Sequence, residues 1–305
     1  MAVIKVQNIT KDYGDRRGVF DVSFEINQGE VFGFLGPNGA GKTTTIRQLL
    51  GFIKPDSGTA YINGMQVWED YYKTNANVGY IPGEINFPEK TTGTELMKWM
   101  AEMRGLTDMG KAKELLEILE LKNVDSDLKK MSKGMKQKLG IVCALMHNPE
   151  ILILDEPTSG LDPLMQQNFV ELIRREKAAG KTILMSSHMF IEVEKTCDRI
   201  AIIKQGEIIA SVNMVDIRKP KTKIFKIKFA EIGESKKVLE NSPPFLEFIE
   251  ISHEKNRVKV KLDDNNVNQF VLWLAKFKLQ YFCEIKQTLE DYFMHFYSNK
   301  KEGGI

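Results

Sequence analysis

The stretch Phe32-Gly33-Phe34-Leu35-Gly36-Pro37-Asn38-Gly39-Ala40-Gly41-Lys42-Thr43-Thr44 decides the reading of this chain. It runs from an apolar strand through a glycine-rich turn into a helix that continues through Ile46 and Leu50. The spacing G-x-x-x-x-G-K-[ST] between a strand and a helix is that of a phosphate-binding loop. Glycines let successive backbone N–H groups curl around phosphate oxygens, and the helix N-terminus adds partial positive charge. Lys42 can reach the β- and γ-phosphates, and the Thr43 hydroxyl can ligate Mg²⁺. The chain is therefore expected to bind a nucleoside triphosphate through Gly36, Pro37, Asn38, Gly39, Ala40, Gly41, Lys42, Thr43 and Thr44.

Composition narrows the setting. The 305 residues suffice for two domains with a subdomain inserted in the first. Hydrophobic residues make up 42% and charged residues 28%, ordinary for a soluble globular protein. A net charge of +2 supplies no general field for nucleic acid, so no nucleic-acid partner is expected. Cys143, Cys197 and Cys283 fit no metal or redox spacing and read as free thiols in a reducing compartment. The opening Met1-Ala2-Val3-Ile4-Lys5 has no signal-peptide core, and the runs Ile141 to Met146 and Ile151 to Leu154 are too short to span a bilayer. Any membrane role is expected to run through a partner.

Outward from the loop, Val3 to Val6, Val19 to Ile26 and Val31 to Leu35 read as strands. Tyr13, on a glycine-marked turn between them, could stack on a base or simply be a half-buried turn residue. Val78-Gly79-Tyr80-Ile81-Pro82 is a brief strand stopped by proline. From Thr94 the period becomes helical: Leu96, Trp99, Met100 and Met103, then Leu115, Leu116, Ile118 and Leu119. Residues from about 84 to 147 thus read as a helical insertion whose methionines, Met97, Met100 and Met103, fill a core. Ser132 opens a further helix as its N-cap, or presents that helix end to a phosphate.

Ile151-Leu152-Ile153-Leu154-Asp155-Glu156 is a buried parallel strand ending in two carboxylates. Ligands of open parallel sheets sit beyond the carboxyl ends of strands, the edge that also holds the loop after Leu35. Asp155 is placed to hold the Mg²⁺ shell and Glu156 to polarise the water attacking the γ-phosphate. Thr182 to Met185 is another buried strand, and His188 just past it could hydrogen-bond the γ-phosphate or the attacking water.

Together these elements resemble the ATP-binding subunit of an ATP-binding cassette (ABC) transporter. The resemblance covers residues 1 to about 215. It rests on the ordered motifs Gly36–Thr44, Ser132-Lys133-Gly134-Met135-Lys136-Gln137, Ile151–Glu156, Ser159-Gly160-Leu161-Asp162 and His188. It implies an α/β phosphate-loop nucleoside-triphosphatase fold with an inserted helical subdomain, spanning 1–216. It also implies ATP and Mg²⁺ as ligands and a head-to-tail pair of ATPase subunits, a homodimer, sandwiching two ATPs. On that resemblance Ser132, Lys133 and Gly134 would face the partner's γ-phosphate, Asp162 would couple the two copies, Glu156 would be the general base and His188 the γ-phosphate sensor. Tyr13 would then stack on adenine.

Two departures stand out. The family's usual Leu-Ser-Gly-Gly-Gln is here Met131-Ser132-Lys133-Gly134-Met135, which keeps the hydroxyl and the close-approach glycine. After Tyr80-Ile81-Pro82, where the family carries a Mg²⁺-contacting glutamine, stand Gly83 and Glu84, and Glu84 is the weak candidate to substitute. These variants resemble the subfamily that serves separately encoded exporters of drugs or antibiotics. The implied partner is an integral-membrane permease, and the implied location is the cytoplasmic face of the cell membrane. The rival readings are a soluble nucleotide switch of the same family and a small-molecule kinase.

Past Ile217, Arg-Lys-Pro-Lys-Thr-Lys reads as a linker to a small α+β domain, 217–305, ferredoxin-like in outline. Phe225, Ile227 and Phe229 alternate with lysines, as do Val258, Val260 and Leu262. Val267, Phe270, Val271 and Leu274 mark a helix face, followed by a strand near Tyr281–Ile285 and a helix with Leu289, Tyr292, Phe293 and Phe296. The basic strand faces read as solvated surface, with an anionic-lipid or regulatory site as the alternative.

Overall fold

The computed structural model describes residues 2–298 apart from Glu89, Ile232 and Gln287, and the side chains of Glu240 and of residues 295–298, Phe296 among them, lie outside that description. The chain divides into two compact units, Met1–Met214 and Val215–Ile305.

The first unit opens with strands β1 (Ala2–Asp12), β2 (Gly18–Asn27) and β3 (Val31–Leu35), then helix α1 (Lys42–Leu49). Next come β4 (Ser57–Ile62), β5 (Met65–Gln66), α2 (Tyr71–Thr74) and β6 (Val78–Ile81). Helices α3 (Gly93–Met103), α4 (Gly110–Ile118) and α5 (Lys133–Leu145) follow. The unit closes with β7 (Ile151–Asp155), α6 (Pro163–Ala178), β8 (Thr182–Ser187), α7 (Phe190–Thr196), β9 (Arg199–Lys204) and β10 (Glu207–Asn213). A short helix α8 (Met214–Arg218) follows at the boundary between the units.

Two sheets form its frame. One is ordered β10-β9-β3-β8-β7-β6, with β10 antiparallel to β9 and the other neighbours parallel. The other is an antiparallel sheet ordered β2-β1-β4-β5. Strands β3, β7 and β8 are buried along their whole length, which explains their unbroken apolar runs. Phe24 of the antiparallel sheet stacks on Phe32 of the parallel one at 5.3 Å, and Ile46 and Leu49 of α1 complete the same core. Because β3, β6, β7 and β8 run in one direction, their carboxyl ends deliver Gly36, Pro82, Glu156 and His188 to one edge.

The helices between β6 and β7 are punctuated as their caps require. Thr92 and Glu95 form a reciprocal capping box at α3, and Ser132 Oγ accepts from the Met135 N–H at α5. Gly79 lets α5 close on β6, since a Cβ there would sit 2.2 Å from the Ala144 carbonyl. The expected methionine core is only partly found. Met97 is buried, but Met103 is 75% exposed and Trp99 45% exposed, because the buried face of α3 runs through Leu96, Met97 and Ala101 instead.

The second unit contains β11 (Thr222–Phe229), α9 (Glu234–Glu240), β12 (Glu247–Ser252), β13 (Arg257–Asp263), α10 (Val267–Leu274), β14 (Leu279–Ile285) and α11 (Leu289–Ser298). All pairings in its sheet, β12-β13-β11-β14, are antiparallel. A βαββαβ chain with its first strand between the third and fourth is the ferredoxin-like arrangement. Phe225, Ile227, Val258, Val260 and Phe270 form its core. The expected linker is shorter than the sequence suggested: β11 begins at Thr222, and α8 occupies the residues before Lys219. Among the described residues no helix is long and apolar enough to cross a membrane.

Candidate nucleotide site

The loop between β3 and α1 is shaped by glycines. Gly39 and Gly41 have φ of 79° and 110°, in the left-handed region that favours glycine. A Cβ on Gly36 would meet the Ile203 carbonyl at 2.5 Å, and one on Gly41 would meet Val19 Cγ1 at 2.7 Å. The Gly206 N–H donates to the Ala40 carbonyl at 2.9 Å, which fixes the loop to the β9–β10 turn. Helix α1 is capped by Gly41 with no side-chain cap bond. Its first-turn N–H groups therefore lack the usual internal acceptor and suit an anion.

Lys42 is buried and donates to the carbonyls of Gly36 at 2.6 Å and Pro37 at 3.2 Å. Its Nζ also lies 3.0 Å from Glu156 Oε1. Glu156 Oε2 in turn meets His188 Nδ1 at 2.5 Å. Glu156 itself sits at φ 49°, a strained conformation for a non-glycine residue that turns its side chain at the strand end. Its backbone N–H is shared between the Ser186 carbonyl and Ser186 Oγ. Thus the phosphate-loop lysine, the strand-end glutamate and the histidine form one connected row.

Beside that row Thr43 Oγ1 donates to Asp155 Oδ2 at 2.7 Å, and Ser186 Oγ donates to Asp155 Oδ1 at 2.5 Å. Asp155 is fully buried. A hydroxyl and a carboxylate oxygen side by side are the hard donors a Mg²⁺ ion takes, so the residues fit that ion. Gly83 lies against this pair: a Cβ on it would come within 3.1 Å of Asp155 Oδ2. No hydrogen bond or ion pair ties Glu84 to Thr43 or Asp155 among the described residues. Tyr80, in β6, has its phenol pushed up to about 12 by burial and, next, by the Asp155 charge.

The remaining candidates group elsewhere. A Cβ on Gly134 would meet the Gly160 carbonyl at 2.8 Å, and the Lys133 stem lies along Gly160. Gln137 Nε2 donates to the Pro157 carbonyl at 2.7 Å, lacing α5 to the loop that follows Glu156. Asp162 caps α6, its Oδ1 accepting from the N–H groups of Leu164 and Met165. No hydrogen bond or ion pair joins Ser132, Lys133 or Gly134 to Gly36–Thr44 of the same chain among the described residues. Tyr13 is 53% exposed on a turn closed by its N–H to the Arg17 carbonyl, and the β2 start after that turn packs on Gly41.

Sequence reasoning missed Ser186 and Glu192. Ser186 is opposite Asp155 in the β7–β8 register, a pairing that becomes visible only once the strand order is known. Glu192, on α7, is 5% exposed and accepts from Ser187 Oγ at 2.7 Å and Thr158 Oγ1 at 3.2 Å. Burial pushes its carboxyl up to about 7 against the pull of those two hydroxyls. A lone acid in the first turn of a helix gave no signal of this.

A phosphate loop, a hydrogen-bonded Thr–Asp pair and a strand-end glutamate on one edge of a parallel sheet define a nucleoside triphosphatase. The family described as "ABC transporter" matches residues 19–159. The linearmycin resistance ATP-binding protein LnrL of Bacillus subtilis is 39% identical over 220 residues, covering 70% of this chain and 70% of that protein. The bacitracin transport ATP-binding protein BcrA of Bacillus licheniformis is 37% identical over 240 residues, covering 78% of each. The solved dimeric structure of MJ0796, a bacterial ABC transporter cassette, superposes with a TM-score of 0.63 at 25% identity, covering 69% of this chain and 98% of that one. The chain belongs to the ATP-binding proteins of ABC transporters and is an ATPase.

Proposed function

We propose that this chain powers a separate integral-membrane permease that exports an antibiotic, drug or similar small amphiphile, with two copies acting as a pair on the cytoplasmic face of the membrane. The observation that carries the reading is the Lys42–Glu156–His188 row beside the Thr43–Asp155 pair. The names of LnrL and BcrA, both concerned with antibiotics, support the cargo class. They speak for a transporter ATPase and against the soluble switch. ATP turnover with no acceptor present would dispose of the kinase reading.

In this reading the loop N–H groups and Lys42 bind the phosphates, and Tyr13 offers its exposed ring to adenine. Thr43 and Asp155 would hold Mg²⁺, which neutralises phosphate charge when bound. Exchange of the Lys42 contact from Glu156 to phosphate frees Glu156 Oε1 to accept the proton of the attacking water. His188 holds the other carboxylate oxygen and faces the γ-phosphate. Ser132 and Gly134, unconnected to their own loop, would complete the site of the second copy, with Lys133 adding charge there and Asp162 linking the copies.

The exposed apolar side chains of the first unit suit a membrane-protein partner. A cavity of about 750 Å³ is lined by Tyr72 of α2, Met100 and Met103 of α3, and Arg104. The deciding experiment is Glu156→Gln. It should keep ATP binding and accumulate ATP-bound dimers on gel filtration, while phosphate release falls by about 10²–10⁴-fold, the usual worth of a general base. Normal hydrolysis by that variant would contradict the assignment, and failure to co-purify any multi-span membrane protein would remove the permease.

A further inference from the structure

Two turns carry the reacting side chains of this site: the β8–α7 turn brings His188, and the loop from β7 to α6 brings Glu156 and ends at Asp162. Neither turn belongs to a regular ladder, yet His188 Nδ1 and Glu156 Oε2 must stay in register to within a few tenths of an ångström. Something has to hold the turns to each other.

The Glu192 carboxyl lies between them. Its Oε2 accepts from Ser187 Oγ, on the residue immediately before His188. The same oxygen accepts from Thr158 Oγ1, two residues beyond Glu156. Each of the two residues is also bound into its own turn, Ser187 through its hydroxyl and Thr158 through its backbone. Ser187 Oγ accepts from the Met189 N–H at 2.9 Å, and the Thr158 carbonyl accepts from the Leu161 N–H at 3.0 Å. From the helix side, Thr196 Oγ1 donates to the Glu192 carbonyl and ties the residue into α7.

The arrangement is costly if it serves packing alone. Glu192 Oε1 is buried with no hydrogen-bond partner, and an acceptor left unpaired out of reach of water is destabilising. A leucine would fill the same volume without that cost. What only an acceptor here supplies is the joint hold on Ser187 and Thr158.

We propose that Glu192 is a positioning residue of the ATPase site, a buried clamp that fixes the turn of His188 to the loop of Glu156 and so sets the His188–Glu156 contact. The inference rests on the reading of Glu156 and His188 as the pair that faces the γ-phosphate. The clamp needs an acceptor oxygen, not a charge. An amide oxygen serves equally, whereas an aliphatic side chain leaves both hydroxyls without it.

The test uses the full chain with MgATP and measures kcat and KM for Glu192→Ala, Glu192→Gln and the pair Thr158→Val plus Ser187→Ala. Glu192→Ala should lower kcat about tenfold while KM for ATP stays within about twofold, as expected when reacting groups are misplaced but nucleotide contacts are kept. Glu192→Gln should restore kcat to within about twofold of wild type, and the Thr158→Val plus Ser187→Ala variant should match Glu192→Ala. Unchanged kcat in Glu192→Ala, a Gln variant as weak as the Ala one, or a loss confined to KM each overturns the proposal. Should Glu192→Ala fail to fold, the hydroxyl double variant decides: kcat within about twofold of wild type there overturns it. Loss of the underlying reading looks different, because Glu156→Gln would then retain turnover.

Discussion

Gly83 borders the Thr43–Asp155 pair, and the structure says what a side chain there would meet. In Gly83→Ala the new Cβ lies 3.1 Å from Asp155 Oδ2 and 3.4 Å from its Cγ, so a neighbour must give by a few tenths of an ångström. Asp155 cannot simply swing aside, because Ser186 holds one oxygen at 2.5 Å and Thr43 the other at 2.7 Å. Overpacking of this size costs about 1–3 kcal/mol. The lost chain freedom of glycine returns about 0.4–1 kcal/mol. The net loss of about 1 kcal/mol lowers the melting temperature by roughly 2–4 °C for a unit of this size. The larger effect falls on catalysis. If a 1 Å misplacement costs about 10²-fold, a shift of about 0.3 Å costs roughly fourfold in kcat, with more Mg²⁺ needed for half-maximal rate. Phosphate release as a function of Mg²⁺, with a thermal melt alongside, measures both. A variant that melts higher than wild type and keeps its Mg²⁺ dependence would refute the contact and the placement of Asp155.

Lys42→Ala removes the ammonium that three oxygens now surround, and hydrogen bonds of charged groups contribute about 1.5–3 kcal/mol. ATP affinity should fall about 10- to 150-fold in a fluorescent-nucleotide titration, and an unchanged affinity would contradict the role of the loop. Burial, then the Arg104 charge, lowers the pKa of His147 to about 4. The unfolded imidazole takes up a proton below about 6.5 while the folded one resists until about 4, so its contribution to stability is lost as pH falls through that window. His147→Gln should therefore show a smaller drop in melting temperature between pH 7 and pH 4.5 than wild type, and an equal or larger drop would count against it.

Much of the site was legible because its residues announce themselves locally. The phosphate loop is one contiguous motif, and Asp155 and Glu156 end an apolar run that only a buried strand explains. The strands of the first unit that were read, and the helix face through Phe270 and Leu274, follow from period alone. What stayed hidden is whatever depends on strand order. Ser186 is an ordinary serine until β8 is laid beside β7, and Glu192 is an ordinary helix acid until Ser187 and Thr158 close on it. Trp99 and Met103 misled for the opposite reason. Their helical spacing was real, but the face they share points away from the core.

The second unit carries the same lesson for charge. On β11 and β13 the alternation of Lys226, Lys228, Lys259 and Lys261 with apolar residues reads as a basic face. Pairing with β12 changes its sign balance, since Glu250 meets Arg257 at 2.7 Å and Lys259 at 2.5 Å, and Glu247 meets Lys261 at 3.1 Å. Lys226 lies 5.8 Å from the Tyr281 ring centre, its charge turned to an aromatic face. Pairs this exposed contribute little to folding, so stability is not their main consequence. Their consequence is the field. Adsorption to an anionic leaflet draws about 1 kcal/mol from each unpaired Lys or Arg near the surface, and here the cations of β13 already have carboxylates beside them. The sheet therefore presents a mixed surface on β12 and β13, with less net positive charge than the lysine alternation alone implies.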